Sequence, residues 1–317
     1  MAITQVETKQ AGTANRTTFI DTYQEVTDAV IKALEEGTVI WQCSWNETGF
    51  PKNITTGNQY RGWNSIWLNF HSIIKGYQAP FYLTYKQAQA LGGTIKKGEK
   101  GTRITYWATI QLKNQTTETT DRTTGETTET HPTKMVPKSY TVFNIEQTEG
   151  INFPAIEALD RTDAEKIASC QLVVHQMPAR PVIKNGTEAF YTPSTDTVIV
   201  PTLQRSKTSE GYYSTLFHEL AHSTGHESRL NRKEVMQSDG FGKTNYAKEE
   251  LTAEMTAAFL NAITGISSAT LPNNAAYIKN WLTVLKNDKT LILKAAGQAQ
   301  KAADYILNVQ YEAVMTE

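Results

Sequence analysis

The pentapeptide His218-Glu219-Leu220-Ala221-His222 constrains this chain more than any other feature. It matches H-E-x-x-H, and the spacing has a geometric meaning. Residues i and i+4 share one face of an α-helix, so both imidazoles can reach the same ion. The glutamate beside the first histidine can then stand next to an activated water. Phe217, Leu220 and Ala221 make the surrounding helix apolar, so its polar members face inward and need partners. His218 and His222 are therefore read as metal ligands and Glu219 as the catalytic base. One Zn²⁺ is the expected ion, with other divalent metals open as alternatives.

A catalytic zinc site takes a third protein ligand and keeps one position open for water. The extension H-E-x-x-H-x-x-G-x-x-H is excluded, because Gly225 is present but Ser228 stands where the last histidine would. No histidine follows His226, which leaves His226 itself or a carboxylate. His226 comes after a helix-breaking glycine and would need a sharp fold-back. Residues 248–260 (KEELTAEMTAAFL) are the better source, since Glu250 and Glu254 form a second i, i+4 pair beside Leu251, Met255, Ala258 and Phe259. One acid can ligate while the other accepts the N–H of a ligating imidazole and fixes its tautomer. This arrangement resembles the gluzincins, zinc peptidases whose third ligand is a helical glutamate with an acid four residues later. The resemblance implies Glu250 as the ligand and Glu254 as the acid behind the imidazole. Glu249 faces roughly 100° around the helix and is set aside. Tyr246 could donate to an oxyanion, with packing the plainer role. The chemistry expected is metal-assisted hydrolysis of a peptide bond, with Glu219 taking the proton of the attacking water.

A second feature lies upstream. Residues 41–107 hold thirteen of the aromatic side chains, five of the six Trp among them. They also carry eight Lys/Arg against Glu47 and Glu99, in a chain whose formal net charge is −1. Aromatic rings interleaved with cations suit single-stranded nucleic acid, where bases stack and phosphates pair. The sharpest candidates are Tyr60, Arg61, Trp63 and Asn64, and then Lys96, Lys97, Lys100 and Arg103, whose turn contains Gly98 and Gly101. The competing reading is structural: Trp41, Trp45, Trp67 and Phe70 would form the core of a small β-rich domain. Neither a recognition-helix pattern nor a zinc-finger spacing favours duplex readout.

The 317 residues suggest two domains, joined around residues 146–159. Helical periodicity starts at Phe19 and stops near Gly37. Strands are expected at Ile104–Leu112 and Ser139–Ile145, flanking a Thr-rich stretch, 115–130, read as a mobile hairpin tip. Thr162 and Glu165 form a capping box for a helix to Met177, residues 188–201 read as a hairpin, and helices follow at 247–264, 273–287 and 289–311. No apolar run is long enough to span a bilayer, the N-terminus lacks a secretory pattern, and Cys43 and Cys170 form no disulfide framework. A cytoplasmic location without membrane partners is expected.

Several motifs in order resemble the ArdC-type antirestriction proteins of conjugative plasmids and phages. They are LEEGTVIWQCSW, NITTGNQYRGWNS, TYKQAQALGGTIKKGEKGTRITYW and YTVFNIEQTEG, followed by STLFHELAHSTGHESRL and NYAKEELTAEMTAAFLNAITGI. The usual proline of the family's Pro-Trp segment is replaced here by Ile40-Trp41 and Ser44-Trp45. The resemblance implies an α+β chain of two domains. Residues 1–150 would be a small mixed α/β domain binding single-stranded DNA, and residues 151–317 a helix-rich zincin-like metallopeptidase domain, similar to proteases that degrade DNA-bound proteins. It implies a role in shielding incoming mobile-element DNA from restriction, with DNA-bound host proteins as candidate substrates. The rival readings are a non-catalytic single-stranded-DNA-binding protein braced by a structural metal, and a metal-dependent nuclease. An oxygen-rich Mg²⁺ set would suit the nuclease better than this one.

Overall fold

The computed structural model describes residues 17–42, 49–111, 117–120, 127–130, 133–155, 161–236, 244–266 and 274–310. The α+β class expected from the sequence is what it shows. The first helix, α1 (Thr17–Glu35), is followed by β1 (Lys52–Asn53), α2 (Trp63–Lys75), β2 (Phe81–Thr84), α3 (Tyr85–Ala90), β3 (Thr94–Ile95) and β4 (Thr102–Gln111). Next come β5 (Thr117–Thr120), β6 (Thr127–Thr130), β7 (Thr133–Asn144) and β8 (Thr148–Glu149). The later half runs α4 (Asp163–Gln176), β9 (Val182–Asn185), β10 (Phe190–Thr192), β11 (Thr197–Val200), α5 (Ser209–Ser223), α6 (Lys233–Met236), α7 (Thr244–Thr264), α8 (Asn274–Asn287) and α9 (Leu291–Ile306).

The first half is organised by a four-stranded sheet in the order β1-β2-β7-β4, in which β4 and β7 pair antiparallel from Thr102↔Val142 to Gln111↔Thr133. The Thr-rich stretch expected as a hairpin tip carries two antiparallel strands of its own, with Thr117 opposite Thr130 and Thr120 opposite Thr127. Threonine is β-branched and fits a pleated ribbon even where no core is available, so low hydrophobicity did not mean absence of strand. Residues 121–126 lie outside the described set. Of the four residues read as a β-rich core, Trp45 lies outside the described residues, while Trp41, Trp67 and Phe70 are buried, the last two on helix α2. Its apolar residues Trp63, Ile66, Trp67 and Phe70 recur at helical spacing and are buried. Gly76, at φ 72°, ends the helix in the left-handed conformation that glycine favours.

In the later half a three-stranded sheet, β10-β11-β9, backs helix α5, with β10 at its edge. Helix α4 opens on the expected capping box, the Thr162 hydroxyl accepting from the Glu165 N–H. One apolar core runs through both halves: Val26, Trp41 and Trp67 belong to the same cluster as Phe217, Leu251, Trp281 and Ile292. Trp41 and Trp281 meet edge to face at 5.2 Å between centroids. Among the described residues no helix is long and apolar enough to cross a membrane.

Trp281 is 1% exposed and joins the two halves through Trp41. Trp281→Ala is expected to cost about 3–5 kcal/mol through lost contacts and an unfilled cavity. The check is a lower urea midpoint at unchanged m-value.

Candidate metal centre

Helix α5 brings the H-E-x-x-H residues to the floor of a cleft of about 290 Å³. Its lining includes His218, Glu219, His222, Glu249 and Glu250, with Tyr191 and Tyr246 on the walls. The helix starts where the Thr208 hydroxyl accepts from the Gly211 N–H. Beyond Thr224 the chain folds back, and the Arg232 N–H donates to the Gly225 carbonyl at 3.0 Å. A side chain on Gly225 would come within 2.4 Å of Val235, so glycine allows α6 to close over the helix end.

The donor atoms converge. Nε2 of His218 and Nε2 of His222 are 3.1 Å apart, and the two Glu250 oxygens lie 3.5 Å and 3.4 Å from them. Ligands about 2.0–2.1 Å from a tetrahedrally bound ion sit about 3.3 Å from one another, so the spacing suits a first-row divalent cation. Two facing imidazole nitrogens at 3.1 Å would repel through their lone pairs unless a proton or a cation lay between them. Among the described residues no fourth His, Cys, Asp or Glu completes this group. A bracing zinc site is normally closed by four protein ligands, whereas three ligands facing a cleft leave a position for water or substrate.

Behind each imidazole stands its own carboxylate. His218 Nδ1 lies 2.8 Å from Glu254 Oε1, and His222 Nδ1 lies 3.2 Å from Glu249 Oε1. A carboxylate there holds the proton on Nδ1 and turns Nε2 towards the ion. Glu249, set aside as a ligand, therefore faces the second histidine from behind. Arg232 grips it with two donors, Nη2 to Oε1 at 2.6 Å and Nε to Oε2 at 2.9 Å. The same guanidinium donates to the Thr224 hydroxyl and the Ala221 carbonyl, tying Glu249 to the end of the motif helix.

The electrostatics follow from this crowding. Burial alone would lower the pKa of His222, but Glu250 and Glu249 outweigh it and push it up to about 9. His218 is likewise raised well above its ordinary value, by Glu250 and Glu254 against burial. Burial would raise Glu250, yet the two imidazoles hold it down. Glu219 moves the other way: desolvation raises its pKa, with the histidines opposing.

The remaining expected site residues divide sharply. His226 points at Ser228, its Nδ1 2.8 Å from Oγ, and takes no part in the cluster. Trp63 is 6% exposed and stacked on Trp67, and Tyr60 packs edge to face against Tyr82. Asn64 pairs with the β4 backbone at Thr105, donating to its carbonyl at 2.6 Å and accepting from its N–H at 2.9 Å. Arg61 bonds to Asp304 of α9, and the neighbouring Gly62 N–H donates to Gln300. Trp63 and Asn64 are thus engaged in packing, while Tyr60 is half-buried and Arg61 remains exposed. Lys96, Lys97, Lys100 and Arg103 remain exposed, although Lys96 Nζ donates to the Glu146 carbonyl and Arg103 lies 3.4 Å from Glu25. Gly101 serves the turn's packing, because a Cβ there would meet Thr141 at 2.5 Å.

Glu249 and Arg232 are the residues that the sequence reading missed. The available signal was stoichiometric: two ligating imidazoles need two acceptors, and only Glu254 had been assigned. Glu249→Leu is expected to weaken divalent-metal binding about 10–100-fold. Glu249→Gln, whose amide oxygen still accepts from Nδ1–H, should lose less. Competition against a chromophoric chelator measures both.

A family model described as the N-terminal domain of anti-restriction factor ArdC matches residues 20–143, and one described as a zincin-like metallopeptidase matches residues 170–298. A DNA primase TraC of Escherichia coli is 34% identical over 309 residues, which cover 93% of this chain but only 28% of that protein. The uncharacterized protein y4eC of Sinorhizobium fredii (strain NBRC 101917 / NGR234) is 32% identical over 314 residues, covering 96% of this chain and 98% of that one. The crystal structure of the antirestriction ArdC protein from plasmid R388 in its metal-free form superposes with a TM-score of 0.69 at 36% identity, covering 90% of this chain and 96% of that one. Its Mn(II)-bound form gives 0.71 at 34% identity, covering 90% and 97%. This chain belongs to the ArdC antirestriction family, an ArdC N-terminal domain followed by a zincin-like metallopeptidase domain.

Proposed function

We propose that the protein is an antirestriction factor that binds single-stranded DNA through residues 1–150 and cleaves DNA-bound host proteins with a zinc-dependent peptidase site in residues 151–317. The observation that carries the peptidase half is the convergence of His218, His222 and Glu250 beside Glu219 in one cleft. His218, His222 and Glu250 would hold one divalent ion, with Zn²⁺ favoured by the mixed imidazole and carboxylate donors. When bound, such an ion supplies a Lewis acid that polarises a carbonyl and makes water more acidic.

The chain's own residues do the rest. Glu219 takes a proton from the attacking water and delivers it to the leaving nitrogen, and its raised pKa suits a group that must both accept and return a proton. Glu254 and Glu249 keep the imidazoles oriented throughout. The edge strand β10 places Tyr191 on the cleft wall, where its hydroxyl donates to Asp196 at 2.8 Å. Arg229 bonds to that same Asp196 and, through Nε, to the Ser223 carbonyl at 2.6 Å, which links the wall to the end of α5.

The DNA half rests on the excess of cations and aromatic rings in residues 41–107 and on membership of an antirestriction family.

Two outcomes test the peptidase site. Glu219→Gln should retain the ion and abolish cleavage of a casein-like substrate supplied with single-stranded DNA. Parental cleavage by that variant would remove Glu219 from its role as base. Metal uptake should also release protons. His222, with a pKa of about 9 when no ion is bound, is protonated at pH 7 and must lose that proton to ligate. Adding Zn²⁺ to weakly buffered protein at pH 7 should therefore acidify the solution. Affinity should weaken as the pH falls below about 9.

A further inference from the structure

The residues that the sequence offered for base stacking are committed elsewhere: Trp63 is buried, Tyr60 packs on Tyr82 and Asn64 is bonded to the β4 backbone. Among the described residues, rings more exposed than these lie on other surfaces. Of the other exposed aromatic side chains among the described residues, Phe153 lies against Phe81, Phe190 lines the metal cleft, and Tyr85 stands alone at the start of helix α3, with no second exposed ring on its element. Tyr106 and Tyr140 are different. They are 59% and 45% exposed and lie edge to face, with centroids 6.3 Å apart, on neighbouring strands of the β4–β7 ribbon.

The register puts them on one face. Ile104 is opposite Tyr140 and Tyr106 is opposite Lys138, and residues two apart along a strand share a side. At the root of this face Ile104 and Val142 are buried against Leu68 and Tyr82. Two residues further out, the same face emerges as Tyr106, Tyr140 and the exposed Lys138. The two strands contain Arg103, Lys134 and Lys138 and not one Asp or Glu. The basic turn of Lys96, Lys97 and Lys100 leads directly into β4.

We propose that the ribbon face formed by Tyr106, Tyr140 and Lys138 is the stacking platform for single-stranded DNA. This assignment rests on the DNA reading above and moves its centre from the Tyr60–Asn64 motif to the ribbon. Unpaired bases can lie flat on exposed rings in a sequence-tolerant way, while Lys138 and the basic turn meet the phosphates. A duplex keeps its bases stacked on each other and offers these rings nothing to stack on. A carboxylate-free ribbon also avoids repelling the backbone it would hold.

The test is fluorescence anisotropy of the full chain with a labelled oligothymidylate and with a duplex of equal length. The variants are Tyr106→Ala, Tyr140→Ala, their double, the corresponding Phe substitutions and Lys138→Ala. Both rings are exposed, so thermal midpoints should stay at the parental value. Each alanine should weaken single-strand binding about tenfold or more, and each phenylalanine should retain it. Lys138→Ala should reduce the slope of log affinity against log salt by about one. Parental binding by the double alanine variant would overturn the platform, as would Phe variants as weak as Ala. Equal losses on single strand and duplex would overturn stacking as its basis. A parental protein that fails to bind the oligonucleotide at all would refute the DNA reading itself, and the platform with it.

Discussion

Buried negative charge is the constraint on which the later half of the molecule turns. Glu219, Glu249, Glu250 and Glu254 all lie out of solvent within two turns of helix and one motif. Isolated carboxylates cannot be buried at tolerable cost, so each must be neutralised or paired. Arg232 answers Glu249 permanently. The histidines answer Glu250 and Glu254, whose oxygens lie within 3.5 Å of their ring nitrogens. The packing of α5 against α7, the closure of α6 and the glycine at 225 all serve to hold these opposite charges at a few ångströms.

Much of the architecture was readable because it follows local rules. The capping box at Thr162 and Glu165, the spacing of α7, α8 and α9, and the hairpin around Asp196 are signals carried by neighbours in sequence. Helix α2 was harder. Its aromatic residues dominate a segment rich in Gly and Asn, and composition drew attention away from the helical spacing of Trp63, Ile66, Trp67 and Phe70. The Thr-rich strands were hidden by the opposite bias, since a ribbon satisfied mainly by backbone pairing needs no apolar pattern.

The metal centre was legible in part for the same reason. His218, His222, Glu250 and Glu254 are spaced by helical turns, and the helix places them without help from tertiary structure. Arg232 and the role of Glu249 depend on a fold-back after Gly225 that joins residues 17 positions apart, which no single-element rule encodes. The Tyr60–Asn64 motif shows the converse hazard. Its composition suits a ligand surface, yet Arg61, Gly62 and Asn64 fasten α2 to α9 and to β4. Packing and ligand surfaces call for the same donors and rings, so the motif's composition does not separate the two tasks.

Asn64 has one more effect. Strand β4 is the outer member of its sheet, and such a strand exposes a row of unmatched N–H and C=O groups to any passing chain. By mimicking a neighbouring strand at Thr105, the asparagine amide closes part of that row from within the same molecule. Edge-to-edge polymerisation is discouraged there, at the root of a long ribbon where it would be most hazardous. Whatever approaches the ribbon at that point must engage side chains instead of extending the sheet.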